Sequence, residues 1–169
     1  MSDHLMQLRR PFNPDAVQWK IQQTFKTGNG GIVIGYIDSR LASERLNHVV
    51  GSDWEDTYQR VEGGHLLLCK LTVAGQTHTD IGEGEGKALF SDAFKRAAVK
   101  FGVGVSLYSI PPIQVWEAQG HVKNVGGKLY LQAEGKQHAT AAYTAWLDAV
   151  GAPLFGEPLD HSVPKKVGQ

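Results

Sequence analysis

His65-Leu66-Leu67-Leu68-Cys69-Lys70-Leu71-Thr72-Val73-Ala74-Gly75-Gln76-Thr77-His78-Thr79-Asp80-Ile81-Gly82-Glu83-Gly84-Glu85-Gly86 runs directly into Lys87 and a segment ending at Phe101. Its first part alternates. Leu67, Cys69, Leu71 and Val73 share one face of a strand, while Lys70 and Thr72 share the other. Ala74-Gly75 turns the chain into a second strand, Gln76 to Ile81. After the glycines the period changes to that of a helix, about Lys87 to Phe101, with Phe90, Phe94, Ala97 and Phe101 as the expected buried stripe. Gly102 and Gly104 stop it, and Pro111-Pro112 prevents a restart.

Upstream, Trp54 to Val61 reads as a strand and Glu62-Gly63-Gly64 as a turn, so three consecutive strands form a meander. Before it, Ser39 is placed to cap a helix running to about Val50, with Gly51 as its stop. Ala16 to Thr27 is extended, Gly28-Asn29-Gly30-Gly31 is a turn, and Ile32 to Ile37 is a β-branched strand, which together predict a hairpin. Residues 1–15 read as an arm, with Pro11 and Pro14 breaking any helix. Beyond Gly120 the pattern predicts a small hairpin over Val122 to Leu131. A helix from Gln137 to Val150 follows, with Ala139, Tyr143, Trp146 and Val150 inward, and then a loose tail over 156–169. The order hairpin, helix, meander, helix favours an antiparallel sheet with helices on one face, an α+β fold. The expected division is a main domain over 1–116, a hairpin–helix extension over 117–155 and a tail over 156–169.

The chain has 169 residues, enough for a core without disulfides or metal staples. Seventeen basic residues balance seventeen acidic ones, so any nucleic-acid role rests on local clustering rather than net charge. Cys69 is the single cysteine, which excludes an intramolecular disulfide and a cysteine zinc cluster. No stretch approaches a membrane span, and the start lacks an apolar signal core. A cytoplasmic protein of a bacterium or of a phage-infected host is expected, with no membrane partner.

Gly82-Glu83-Gly84-Glu85-Gly86-Lys87 sits between a strand and a helix, where phosphate cradles occur. Its spacing is neither G-x-G-x-x-G nor a Walker sequence, and Glu83 and Glu85 repel phosphate. A turn that lets the helix fold back accounts for it better. Asp80, Glu83 and Glu85, with His78 nearby, form a candidate carboxylate cluster for divalent-metal chemistry. Solvent-facing polar residues on a sheet give the same pattern. The helix carries Lys87, Lys95, Arg96 and Lys100 against Asp92 alone. A cationic strip on a rigid helix holds phosphates well. A solvated face with cations near a helix C-terminus fits the same residues.

Asp80-Ile81-Gly82-Glu83-Gly84 followed by Ser91-Asp92-Ala93-Phe94-Lys95-Arg96-Ala97-Ala98-Val99-Lys100-Phe101-Gly102 resembles the Rad-fifty-two-type single-strand annealing family, in particular its DdrA-like bacterial and phage branch. The shared pattern is a D-[IV]-G strand end, a glycine loop, then a helix reading SDAxKRxAxxFG. Leu107-Tyr108-Ser109-Ile110-Pro111 is similar to the branch's exit from that helix. Pro11-Phe12, Val17-Gln18-Trp19-Lys20, Tyr36-Ile37-Asp38-Ser39-Arg40 and Asp53-Trp54 match in order. The likeness covers about residues 11–116.

The resemblance implies a ring-forming α+β domain that binds single-stranded DNA by its backbone, in a groove between hairpin and sheet–helix body. It implies annealing of complementary strands in homologous recombination and repair, or protection of DNA ends, with no catalytic residues, no cofactor and no metal. The implied partners are single-stranded DNA, further copies of the chain in a ring, and a single-strand-binding protein or an exonuclease. The implied DNA contacts are Lys95 and Arg96 of the helix and Lys26 of the hairpin, with Lys100 and Lys87 as lesser candidates. Some relatives carry another arginine one turn after the pair, where this chain has Val99. The short loop before the helix leaves no clear counterpart for the lysine of a second, outer DNA site. The alternative class is a small divalent-metal nuclease or phosphotransferase using Asp80, Glu83 and Glu85.

Overall fold

The structure, a computed structural model, describes residues 3–61, 63–151 and 154. Its centre is the expected meander: β3 (Trp54–Arg60), β4 (Leu66–Val73) and β5 (Gln76–Glu83), antiparallel in that order. The register sets Cys69 between Tyr58 and Asp80. Leu67, Cys69, Leu71 and Val73 are buried, as their alternation requires. They face α3 (Gly86–Lys100), which lies across one side of the sheet.

The buried stripe of α3 differs from the expected one. Leu89, Ala93, Phe94, Ala97 and Ala98 are buried on the helix and Phe101 just beyond it, while Phe90 is 41% exposed. The reason is a close approach at Gly82. A Cβ there would stand 2.3 Å from the backbone nitrogen of Ala93, so glycine lets the alanine face sit directly on the sheet. That rotation turns Phe90 to the sheet's margin, where its ring meets Tyr58 edge-on at 5.2 Å.

The predicted hairpin is present as β1 (Gln18–Thr24) and β2 (Gly30–Tyr36). It belongs to a second sheet. After Pro111-Pro112 the chain returns as β6 (Ile113–Trp116), which pairs antiparallel with β2 from Gly30 to Val33. The expectation of one sheet is therefore corrected to two three-stranded sheets. A separate hairpin, β7 (Val122–Val125) with β8 (Lys128–Leu131), completes the strands. The β6 strand is too short to be seen in the periodicity, and its partner lies some eighty positions earlier.

The arm is also corrected. Asp3–Leu8 forms a short helix, α1, packed on α2 (Ser39–Val50), and Pro11 and Pro14 fall beyond it. Leu8 and Phe12 are buried. Arg45 of α2, only 1% exposed, donates from Nη1 to the carbonyls of Leu8 at 3.0 Å and Arg10 at 2.8 Å. Its guanidinium lies 3.8 Å from the centre of the Phe12 ring. Burial disfavours the charge and pulls its pKa down to about 9, with Tyr143 opposing that shift and Arg10 adding to it. The cap of α2 is Asp38 rather than Ser39: its carboxylate accepts from the Leu41 amide at 2.8 Å.

The last helix, α4 (Ala133–Val150), starts earlier than expected and buries Gly135, Ala139, Tyr143 and Leu147. Trp146 is half-buried and stacks on Tyr143, whereas Val150 is exposed. The Tyr143 hydroxyl donates to the Phe12 carbonyl at 3.0 Å, and Trp19 Nε1 of β1 donates to Thr140 at 3.0 Å. These bonds tie α4 to the arm and the hairpin. The expected tail over 156–169 lies outside the described residues. Among those described, no helix is long and apolar enough to cross a membrane.

Candidate nucleic-acid interface

A groove of about 400 Å³ lies between the β1–β2 hairpin and α3, and Gly104, Leu107, Tyr108 and the Ile110–Ile113 stretch also line it. Its floor is apolar, with Ile32, Ile34, Val99 and Leu107 among the lining residues. Its cations are Lys20 from β1 and Lys95 and Arg96 from α3. Tyr36, at the end of β2, stands between the two lysines. The Lys20 ammonium lies 5.3 Å from the centre of its ring and the Lys95 ammonium 5.8 Å. Both distances suit attraction to the ring face.

Strand periodicity explains how hairpin residues reach the groove. The register opposes Gln18 to Tyr36 and Lys20 to Ile34, so Lys20 and Tyr36 lie on one face, diagonal to each other. Trp19 and Val33 lie on the opposite face and are buried. On α3, Lys95 and Arg96 flank the buried Phe94 and Ala97.

The other expected cations fall elsewhere. Lys26 is exposed in the turn between β1 and β2 and does not line the groove. Lys87 is exposed in the first turn of α3, also away from it. Lys100 reaches the meander: its ammonium is 3.3 Å from Asp80 Oδ2 and donates to the Thr79 carbonyl. Arg96 Nε is 3.3 Å from Asp80 Oδ1. Partial burial raises the pKa of Asp80. The Ile81 amide, the Lys100 hydrogen bond and the charges of Arg96 and Lys100 outweigh it, and the net shift is downward. Asp80 is thus held as an anion.

Lys20 and Tyr36, which line the groove, are not among the site residues that the sequence singles out. The alternation Gln18, Trp19, Lys20 signals that Lys20 faces away from the core. What it faces depends on where α3 lies, and that is not a local property.

The carboxylates of the enzymatic alternative do not converge. Asp80 is engaged by two cations, and Glu83 and Glu85 are exposed. Among the described residues, no three His, Cys, Asp or Glu side chains come together as metal ligands would. The His78 ring packs against Phe101 at 4.6 Å. Cys69 is buried, and burial together with Asp56 pushes its thiol up to about 11, against a smaller opposing effect of Tyr58. That is the setting of a core thiol rather than a nucleophile.

Fold and groove define an α+β protein with a groove lined by apolar side chains, three cations and one acid, Asp92, a chemistry suited to a chain that carries anions along one side. A family model described as Rad52/22 family double-strand break repair protein matches residues 1–125, and the chain belongs to that family. Two curated relatives, each named single-stranded DNA-binding protein DdrA, come from Deinococcus radiodurans and Deinococcus deserti. Both are 37% identical over 158 residues, covering 79% of this chain and 76% and 79% of theirs. No solved structure matches the chain.

Proposed function

We propose that this protein binds single-stranded DNA and anneals complementary strands in recombination and repair. The observation that carries the reading is the meeting of Lys20 and Lys95 at the Tyr36 ring, with Arg96 lining the same groove, from elements far apart in sequence. Family membership and the named function of the two relatives support it. Cations lining a groove neutralise backbone phosphates, and this leaves bases free to test a second strand. Tyr108, 76% exposed at the mouth, offers a face for a base to stack on. Lys26, on the hairpin turn, is an outlying contact for a strand longer than the groove. Protection of DNA ends would use the same contacts.

Net neutrality fits this reading, because the field in the groove is set by its own lining rather than by total charge. Repetition of the groove around a homo-oligomeric ring, a further part of the proposal, would make the cationic path continuous. The test uses labelled complementary strands. Faster pairing in the presence of the protein supports annealing. Cleavage of single strands with magnesium or manganese, without faster pairing, would overturn it in favour of a nuclease.

A further inference from the structure

One carboxylate beside the groove serves two cations, and the two are held differently. Arg96 lines the groove, yet its contact with Asp80 is through Nε alone, at 3.3 Å. An arginine held by Nε keeps its two terminal nitrogens for another ligand, and that edge can still grip a phosphate with two parallel hydrogen bonds. Lys100 is held by both Asp80 and the Thr79 carbonyl, and it does not line the groove.

Asp80 is the fixed member of the group. It sits within β5, paired opposite Cys69, and its Oδ1 accepts from the Ile81 amide at 2.7 Å. Its side chain is 21% exposed, against 54% for Arg96. A long, half-exposed arginine is therefore tethered near its middle to a strand-borne anchor. That anchor is shared with Lys100, so the group of Asp80, Arg96 and Lys100 carries a net positive charge.

We propose that Asp80 is a positioning residue of the groove: it grips the Nε edge of Arg96 so that the terminal nitrogens face a phosphate, with Lys100 as its counter-ion rather than a DNA ligand. This rests on the reading that the groove takes single-stranded DNA. A carboxylate near a polyanion has an opposite simple expectation. If Asp80 only neutralised Arg96, its removal would strengthen binding.

The sign of the effect decides. Titration of oligo-dT into Asp80→Ala is expected to show binding weakened about threefold to tenfold, the scale of a coupled charge-assisted contact, although a negative charge has been removed. The salt dependence should flatten by about 0.7, the share of one phosphate. In an Arg96→Ala background the same change should cost nothing further, and Lys100→Ala should keep the wild-type salt slope. Asp80→Asn retains one acceptor for the Ile81 amide and serves if the alanine variant fails to fold. Its binding should fall between wild type and Asp80→Ala, or below wild type where the latter is unfolded. Equal or tighter binding by a folded Asp80 variant overturns the proposal alone, as does a loss of equal size in the Arg96→Ala background. A wild-type protein that binds no oligo-dT removes the proposal and the functional reading together.

Discussion

Lys20 and Lys95 approach the same ring from different elements, and their roles separate from that of Lys26 by strand length. Each of the first two should neutralise one phosphate in the groove. Lys20→Ala and Lys95→Ala are each expected to weaken oligo-dT binding and to flatten the salt slope by about 0.7, even for a short oligonucleotide. Neither belongs to the buried core, so thermal stability should stay within about 0.5 kcal/mol of wild type. Lys26 stands on the hairpin turn, outside the groove. Lys26→Ala should bind a short oligonucleotide like wild type and lose affinity only as the strand lengthens. A length series of fluorescence-anisotropy titrations checks both; a wild-type slope in the Lys20 and Lys95 variants would remove the groove assignment. The Lys95-Arg96 pair was legible in the sequence because it sits in a distinctive helix. Lys20 was not, because a lone lysine on a strand carries no signal until its neighbours across space are known.

The contact of β5 with α3 shows why element type was easier to read than element rotation. Alternation along β4 and the 3.6 period after Gly86 identify strand and helix from neighbours in the chain. They leave the roll of the helix on the sheet open, since Phe90 and Leu89 are both apolar and adjacent. Gly82 resolves it by admitting the alanine face. Gly82→Ala should therefore force the helix off the sheet: the new Cβ would meet the Ala93 backbone nitrogen at 2.3 Å and its Cα at 2.6 Å, atoms that cannot swing aside. A loss of about 3 kcal/mol is expected in urea unfolding, near the upper end for overpacking. An unchanged midpoint would remove Gly82 as the residue that sets the roll of the helix. The same limit explains β6. Four residues between a double proline and a turn are too few to show a period, and only the empty edge of β2 selects them as a strand.

Assembly is a property of the whole molecule, and the geometry changes where it should be sought. The apolar strand Ile32 to Ile37 suggests from sequence an edge for a neighbouring copy. In the structure β2 is the central strand of its sheet, flanked by β1 and β6, while β3 and β5 are the outer strands of the meander. Leu66 and Ile81 are exposed there, on the side away from α3. If the protein forms the proposed ring, its seam should involve the meander. Light scattering should report a species larger than a dimer at micromolar concentration, and Ile81→Lys should shift it toward smaller species; a wild-type monomer with and without DNA would remove the ring. At this scale the division between chain and fold is plain. The hairpin, α2, the meander, α3 and with them the α+β class follow from residues close together, because turns, caps and periodicity act over a few positions. The arm pinned by Arg45 and Tyr143, the third strand on the hairpin, the Lys20–Tyr36–Lys95 cluster and the hold of Asp80 on Arg96 join residues 16 to 131 positions apart. Such contacts exist only once packing has brought their elements together, since no local pattern specifies which face of one element meets which face of another.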